Sequence, residues 1–138
     1  MPGQAGTGTF NVRDLVFGEP AGSEQPTNII PQGGSFDLSL TFEGSGSNWK
    51  NMVKNGLAYE VWYHLEGIGN SEDEVDYGPV TKNLVSGKLT YTGADTRRTI
   101  SPNNLKPGLY LVAGVVIFPT WPGTTGFTTD TQLQVYVP

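Results

Sequence analysis

Few side chains in this chain could do catalytic chemistry, and the only histidine is His64. A serine nucleophile ordinarily needs a histidine or lysine base, and the sequence has no Gly-x-Ser-x-Gly turn to present one. His64 lies in an alternating segment between Trp62 and Glu66, a pattern that predicts a surface histidine on a strand. Glu60 and Glu66 share a face of that strand, but six residues separate them by about 20 Å, which is too far for a glycosidase pair. We therefore expect no enzymatic activity.

An acidic segment between two predicted strands offers ligands for a hard cation. Its oxygen-bearing side chains fall within seven residues: Asn70, Glu72, Asp73, Glu74 and Asp76. Calcium takes six to eight oxygen ligands, many of them carboxylates. The segment lacks the spacing of an EF-hand, so a solvated acidic loop without a cofactor is expected. A calcium-binding, adhesion-type domain is retained as an alternative.

Three tryptophans could provide flat platforms for a ligand. Trp121 lies in a proline-rich segment that predicts a hairpin tip, Trp62 lies on the outward face of its strand, and Trp49 follows a glycine-rich turn. Rigid tryptophans stack on sugar rings or anchor protein partners. These residues support a carbohydrate-binding alternative in which Trp121, Trp62 or Trp49 stacks on a glycan. The competing interpretation folds Trp121 and Trp49 back as lids over the ends of the domain.

The elements that would position these residues are strands. The clearest segment, residues 35–43, alternates Phe36, Leu38, Leu40 and Phe42 with polar residues, as expected of a half-buried strand. In residues 9–17 the alternation of apolar and polar residues shifts phase, which predicts a bulge near Arg13 and Asp14. The remaining predicted strands share the same kind of pattern and cover residues 9–17, 58–66, 77–85, 88–92, 96–100, 110–118 and 132–137.

One short helical turn is predicted near residues 48–55. Trp49, Met52 and Val53 recur at helical spacing after Ser47 and Asn48, either of which could cap the turn. The chain therefore predicts an all-β protein of seven to nine strands. We expect residues 1–8 to be a flexible N-terminal segment and residues 9–138 to form a single β-sandwich domain.

The segment Leu-Lys-Pro-Gly-Leu-Tyr, from Leu105 to Tyr110, reads as a turn that begins an apolar strand. It resembles the tyrosine corner at the start of strand F in immunoglobulin-like and fibronectin type III-like domains. The strand carrying Trp62 is similar to strand C of those folds, although the inter-sheet disulfide of antibody domains is absent because the chain has no cysteine. The resemblance implies a two-sheet Greek-key β-sandwich in which the Tyr110 hydroxyl bonds to backbone a few residues upstream. It implies no particular function.

The strand that begins at Tyr110 is apolar on both faces. If Tyr110 faces the core, then Leu111, Val115 and Ile117 point outward beside Trp62 of the neighbouring strand. A sandwich strand ordinarily keeps one wet face, so something should cover this patch. Internal cover, from the turn of Trp49, Met52 and Val53 or from the loop of Ile29 and Ile30, is one alternative. The other is a partner-binding surface formed by Trp62, Leu111, Val115 and Ile117.

Composition limits the partners further. The chain has 138 residues, a net charge of −5 and only eight scattered Lys and Arg residues, so a nucleic-acid interface is not expected. No apolar run reaches the length of a membrane span. Met1 as the native start predicts a cytoplasmic protein, whereas removal of a leader would place it outside the cytoplasm. The sequence thus favours a non-enzymatic recognition or assembly module that binds a protein partner or itself, with glycan binding as the alternative.

Overall fold

The computed structural model describes residues 9–18, 28–69, 74–121, 123–129 and 131–138. Within these ranges it contains ten strands in two sheets and one α-helix, so the all-β prediction is confirmed. The strands are β1 (Phe10–Gly18), β2 (Ile29–Pro31), β3 (Phe36–Gly44), β4 (Ala58–Ile68), β5 (Glu74–Asn83), β6 (Thr90–Tyr91), β7 (Arg98–Ile100), β8 (Gly108–Ile117), β9 (Thr125–Phe127) and β10 (Thr131–Tyr136).

Two strands were not predicted. β2 and β9 have three residues each, which is too short for an alternating pattern to be recognised. β2 contains Ile29 and Ile30, which the sequence predicts to lie in a loop, and β9 pairs with the end of β8. They raise the strand count above the predicted seven to nine.

The two sheets differ in size. The smaller sheet has the order β1-β3-β6, with β7 also paired to β3, and the larger sheet has the order β2-β10-β8-β4-β5, with β9 beside β8. β2 runs parallel to β10, and the other pairings are antiparallel. Strand β8 therefore lies in the middle of the larger sheet, flanked by strands distant from it in sequence.

The core lies between the inner faces of the two sheets. The alternating residues predicted to face inward are buried, and they include Phe36, Leu38, Leu40 and Phe42 of β3 and Tyr59, Val61, Tyr63 and Leu65 of β4. The predicted bulge in β1 is also confirmed, because the pairing register with β3 shifts between Arg13 and Val16 and Asp14 has φ 57°. Because of the bulge, Val12 and Leu15 both face the core although they are three residues apart.

The predicted helical turn is the helix α1 (Ser47–Lys54), which buries Trp49, Met52 and Val53. Its N-cap is Gly46, which has no side chain, and not the predicted Ser47 or Asn48. The helix closes one end of the core through an aromatic cluster in which Trp49 contacts Phe10, Phe42, Tyr91 and Phe118. This eight-residue helix is too short to span a membrane, and no other α-helix lies in the described ranges.

The tyrosine corner forms as predicted. The Tyr110 hydroxyl donates a hydrogen bond to the carbonyl oxygen of Lys106 at 2.7 Å, and the tyrosine is fully buried. Because Tyr110 faces inward, the period of two along β8 directs Val112, Gly114 and Val116 to the core. The intervening residues of β8 must then face outward.

Candidate functional site

The outer face of the larger sheet carries a continuous apolar strip. Leu111, Ala113, Val115 and Ile117 of β8 face outward and are partly exposed. Val115 pairs with Trp62 of β4 on one side and with Phe127 of β9 on the other. Phe127 is 72% exposed. We call these six residues the apolar stripe: Trp62, Leu111, Ala113, Val115, Ile117 and Phe127.

The structure brings together the four residues that the sequence nominates for partner binding, namely Trp62, Leu111, Val115 and Ile117. Phe127 was missed because its strand has only three residues. Its place beside Val115 follows from the pairing of β9 with β8, which no local sequence pattern indicates. The stripe is therefore larger than the sequence predicts.

Neither element predicted as internal cover lies over the apolar stripe. Trp49, Met52 and Val53 belong to the core cluster between the sheets. Ile30 is also buried in that core, while Ile29 is exposed and pairs with Gln134 at the far edge of the sheet. Within the described ranges, the stripe is thus left without the covers that the sequence suggested.

Trp62 is held in place by its neighbours on the outer face. The β4–β5 register shifts between Val61 and Tyr63, and the indole packs against Gly78 of β5. A Cβ atom at Gly78 would lie 2.9 Å from Cε3 of Trp62, so a larger residue there would displace the ring. The indole Nε1 donates to Oε1 of Glu60 at 3.0 Å. Trp62 therefore presents a positioned aromatic ring.

His64 forms a pair that the sequence did not reveal. Its Nδ1 lies 2.6 Å from Oδ1 of Asp76 on β5, and its ring is nearly parallel to that of Trp62, at 4° with centroids 6.5 Å apart. The two residues lie opposite each other because β4 pairs with β5 in this register. Among the described residues no serine or threonine hydroxyl is hydrogen-bonded to His64.

A shallow depression lies beside this pair. It has a volume of about 260 Å³ and is lined by His64, Leu65, Glu66, Glu74, Asp76, Leu111 and Ala113. Glu66 is the direct cross-strand partner of both Glu74 and Leu111. The depression thus has carboxylates on the β4–β5 side and aliphatic side chains from the apolar stripe on the β8 side.

The structure describes only two of the five candidate metal ligands in the acidic segment. Asn70, Glu72 and Asp73 lie outside the described residues, while Glu74 and Asp76 lie on β5. In the part of the chain that is described, no group of three or more His, Asp or Glu residues is arranged to hold a metal ion. Calcium binding by the whole segment stays the untested alternative to a solvated acidic loop.

The two remaining tryptophans occupy different environments. Trp49 is 3% exposed, and its Nε1 donates to the carbonyl of Leu89 at 3.2 Å. It offers no face to a ligand, in contrast to the stacking expectation and in agreement with the lid interpretation. Trp121 is 45% exposed in the turn that follows β8, so it is accessible to a ligand.

The inward side of β4 anchors the strand that carries Trp62 and His64. The Tyr59 hydroxyl donates to the carbonyl of Asp95 at 2.8 Å, and the Tyr63 hydroxyl donates to the carbonyl of Thr96 at 2.6 Å. Both acceptors lie in the segment before β7. Burial raises the pKa of both phenols well above the ordinary value for tyrosine. These bonds join the two sheets beneath the outer face.

The sequence matches no protein-family model and no curated protein. One solved structure of similar fold is the alkylpurine DNA glycosylase AlkC from Pseudomonas fluorescens bound to DNA containing an abasic site analog. It aligns with TM-score 0.56 and 14% identity, and the alignment covers 93% of this chain and 30% of that chain. The CARDB domain of the PF1109 protein from Pyrococcus furiosus, in complex with di-metal ions, aligns with TM-score 0.47 and 10% identity over 95% of this chain and 96% of that one. The PmoD soluble domain from a Methylocystis species aligns with TM-score 0.39 and 10% identity over 95% and 94%. The chain spans less than a third of the glycosylase, and at this identity the likeness shows a shared β-sandwich fold alone.

Proposed function

We propose that this β-sandwich is a non-enzymatic recognition module that binds a protein partner through the apolar stripe. The observation that carries the proposal is the stripe itself, with Phe127 72% exposed next to outward-facing Val115. A sandwich strand ordinarily keeps its outer face polar, and contiguous exposed apolar surface is typical of interaction sites. Aromatic residues such as Trp62 and Phe127 are also enriched where interfaces are buried.

We also propose that the domain belongs with the immunoglobulin-like and fibronectin type III-like sandwiches. The hydrogen bond from Tyr110 to Lys106 supports this relationship. The larger sheet places β8 between β4 and β10, as strand F lies between strands C and G in those domains. Such domains serve many roles, so the relationship does not itself select a partner.

Glycan binding is a second candidate, favoured by one observation. Trp121 is 45% exposed, and an exposed tryptophan ring can stack on a sugar. The apolar stripe favours a protein instead, because Leu111, Val115 and Ile117 are aliphatic and provide no hydrogen-bonding groups for sugar hydroxyls.

The test of the proposal is peptide selection from a random display library on the immobilised domain. The double variant Val115→Gln/Ile117→Gln removes apolar area from the stripe without adding charge. Val16→Gln is the matched control, since Val16 is 43% exposed on the smaller sheet. Peptides that bind the wild type and Val16→Gln but not the double variant would support the proposal. Peptides that bind all three proteins equally would contradict it.

Light scattering over a concentration series tests whether the occupant of the apolar stripe is a second copy of this chain. A dimer that the double variant dissociates and Val16→Gln leaves intact would mean that the stripe is a self-association surface. A monomer at all concentrations would leave a different protein as the partner.

A further inference from the structure

The charged residues of the larger sheet are distributed unequally between its two faces. Its strands contain four carboxylates, and all four lie at outward-facing positions of β4 and β5: Glu60, Glu66, Glu74 and Asp76. The only Lys or Arg in these strands is Lys82. It pairs with inward-facing Tyr59 and donates to the carbonyl of Ala94 at 2.9 Å. On the β4–β5 side, the apolar stripe is therefore bordered by these carboxylates and by His64, which is hydrogen-bonded to Asp76.

Two of these carboxylates are placed where they repel each other. Glu66 and Glu74 are direct cross-strand partners, and both are exposed. Like charges directly opposite on two strands destabilise the sheet. The ion pairs of the described chain involve neither glutamate. A structural role does not account for this arrangement, because it costs stability, whereas a cationic group from a partner would relieve the repulsion.

The depression beside these glutamates has the form that a long basic side chain needs. Leu111 and Ala113 line its apolar side, and Glu66, Glu74 and the hydrogen-bonded pair of His64 and Asp76 line its polar side, within about 260 Å³. Lysine and arginine bury their aliphatic stems on apolar surface while the charged head stays with polar groups. Charge-assisted hydrogen bonds to carboxylates would then hold the head.

Resting on the proposed function, we propose that the partner of the apolar stripe is a basic protein segment. It places apolar side chains on the stripe and inserts an arginine or lysine into the depression between Leu111 and the Glu66–Glu74 pair. A second copy of this chain fits this face poorly, since the strands of the sheet bring no cation of their own to it and the chain has a net charge of −5.

The peptides selected above test this inference. We expect them to be enriched in Arg or Lys and apolar residues, and to bind more weakly as salt is raised. Glu66→Gln should weaken their Kd about two- to five-fold, and Glu66→Gln/Glu74→Gln by more. The matched control is Glu43→Gln, which removes a strand glutamate paired with Arg13 on the smaller sheet and should leave Kd unchanged.

The outcomes separate this inference from the proposed function. Neutral or acidic peptides that still require Val115 and Ile117, with a Kd insensitive to Glu66→Gln, would overturn the basic partner and leave the stripe as the binding surface. Peptides insensitive to Val115→Gln/Ile117→Gln would overturn both. A thermal melt adds a readout without peptide: Glu66→Gln should raise the Tm by about 1–3 °C through relief of repulsion, and a lower Tm would contradict the repulsion on which the inference depends.

Discussion

The packing of the two sheets is tested sharply at Gly114, where β8 lies against Leu40 of β3 in the smaller sheet. Gly114 is buried and faces Leu40 of β3. A Cβ atom added at Gly114 would overlap Cδ2 of Leu40 and would lie 3.5 Å from Cε1 of Tyr63. Carbon atoms in contact lie about 3.5–4.0 Å apart, so the added methyl would overlap Leu40 by more than about 1 Å. Leu40 is 1% exposed and has little room to move.

The expected cost of Gly114→Ala follows from two opposing effects. Overpacking a core costs about 1–3 kcal/mol, whereas replacing a strand glycine with alanine recovers about 0.5–1 kcal/mol. The free energy of unfolding should therefore fall by up to about 2.5 kcal/mol, with a mid-range value of about 1 kcal/mol. Leu40→Ala alone should cost about 2–5 kcal/mol through the cavity it leaves. The double variant Gly114→Ala/Leu40→Ala should cost less than the sum, because the methyl group introduced on β8 then occupies part of that cavity.

Equilibrium urea unfolding, followed by tryptophan fluorescence, measures all three variants. Gly18→Ala is the control, since Gly18 lies in a strand and a Cβ atom there would meet no atom within 4 Å; it should not destabilise the protein. Additive costs in the double variant would refute the close approach of Leu40 to β8.

Three further predictions concern buried polar groups. Because burial raises the pKa of the Tyr63 phenol in the folded protein, its stabilising contribution is complete below the unfolded value of about 10 and is lost as pH rises above it. Tyr63→Phe should therefore reduce the fall in unfolding free energy above about pH 10 by up to about 1.4 kcal/mol per pH unit, as measured by urea unfolding across that range. Thr96→Val should cost about 2–4 kcal/mol in urea, since the Thr96 hydroxyl accepts from the Leu40 N–H at 3.0 Å and donates to the Leu40 carbonyl at 2.7 Å. Tyr110→Phe should cost about 1 kcal/mol, visible as a lower Tm, because it removes the bond to Lys106.

Each of these predictions has a clear opposing result. An alkaline slope unchanged by Tyr63→Phe would mean that its phenol titrates alike in both states. Thr96→Ser keeps the hydroxyl and controls for the methyl group; equal losses for the Val and Ser variants would remove the hydroxyl from the explanation. A Tyr110→Phe variant as stable as the wild type would show that the corner hydrogen bond contributes nothing to stability.

The long alternating strands were predictable from sequence because one face of each is buried. Phe36 to Phe42 and Tyr59 to Leu65 repeat with a period of two, and the phase shift in β1 located the bulge at Asp14. β2 and β9 could not be predicted, because three residues are too few for an alternating pattern, and β2 also depends on pairing with the distant strand β10.

The candidate site was predictable in part for the same reason. The phase of β8 follows from Tyr110, so the sequence alone places Leu111, Val115 and Ile117 outward. The partners of these residues across the sheet depend on strand order and register, which the sequence does not encode locally. Phe127, the pairing of His64 with Asp76, and the opposition of Glu66 to Glu74 therefore emerge only from the fold.

Amide chemical-shift mapping tests most directly whether the outer face of the larger sheet is the binding surface. A peptide selected on the wild-type domain would be titrated into the isotopically labelled protein. We predict that the shifted amides lie in β4, β8 and β9, around Trp62, Val115 and Phe127, with β1 and β3 unaffected. Shifts confined to the smaller sheet, or to the turn of Trp121, would contradict the apolar stripe as the binding surface.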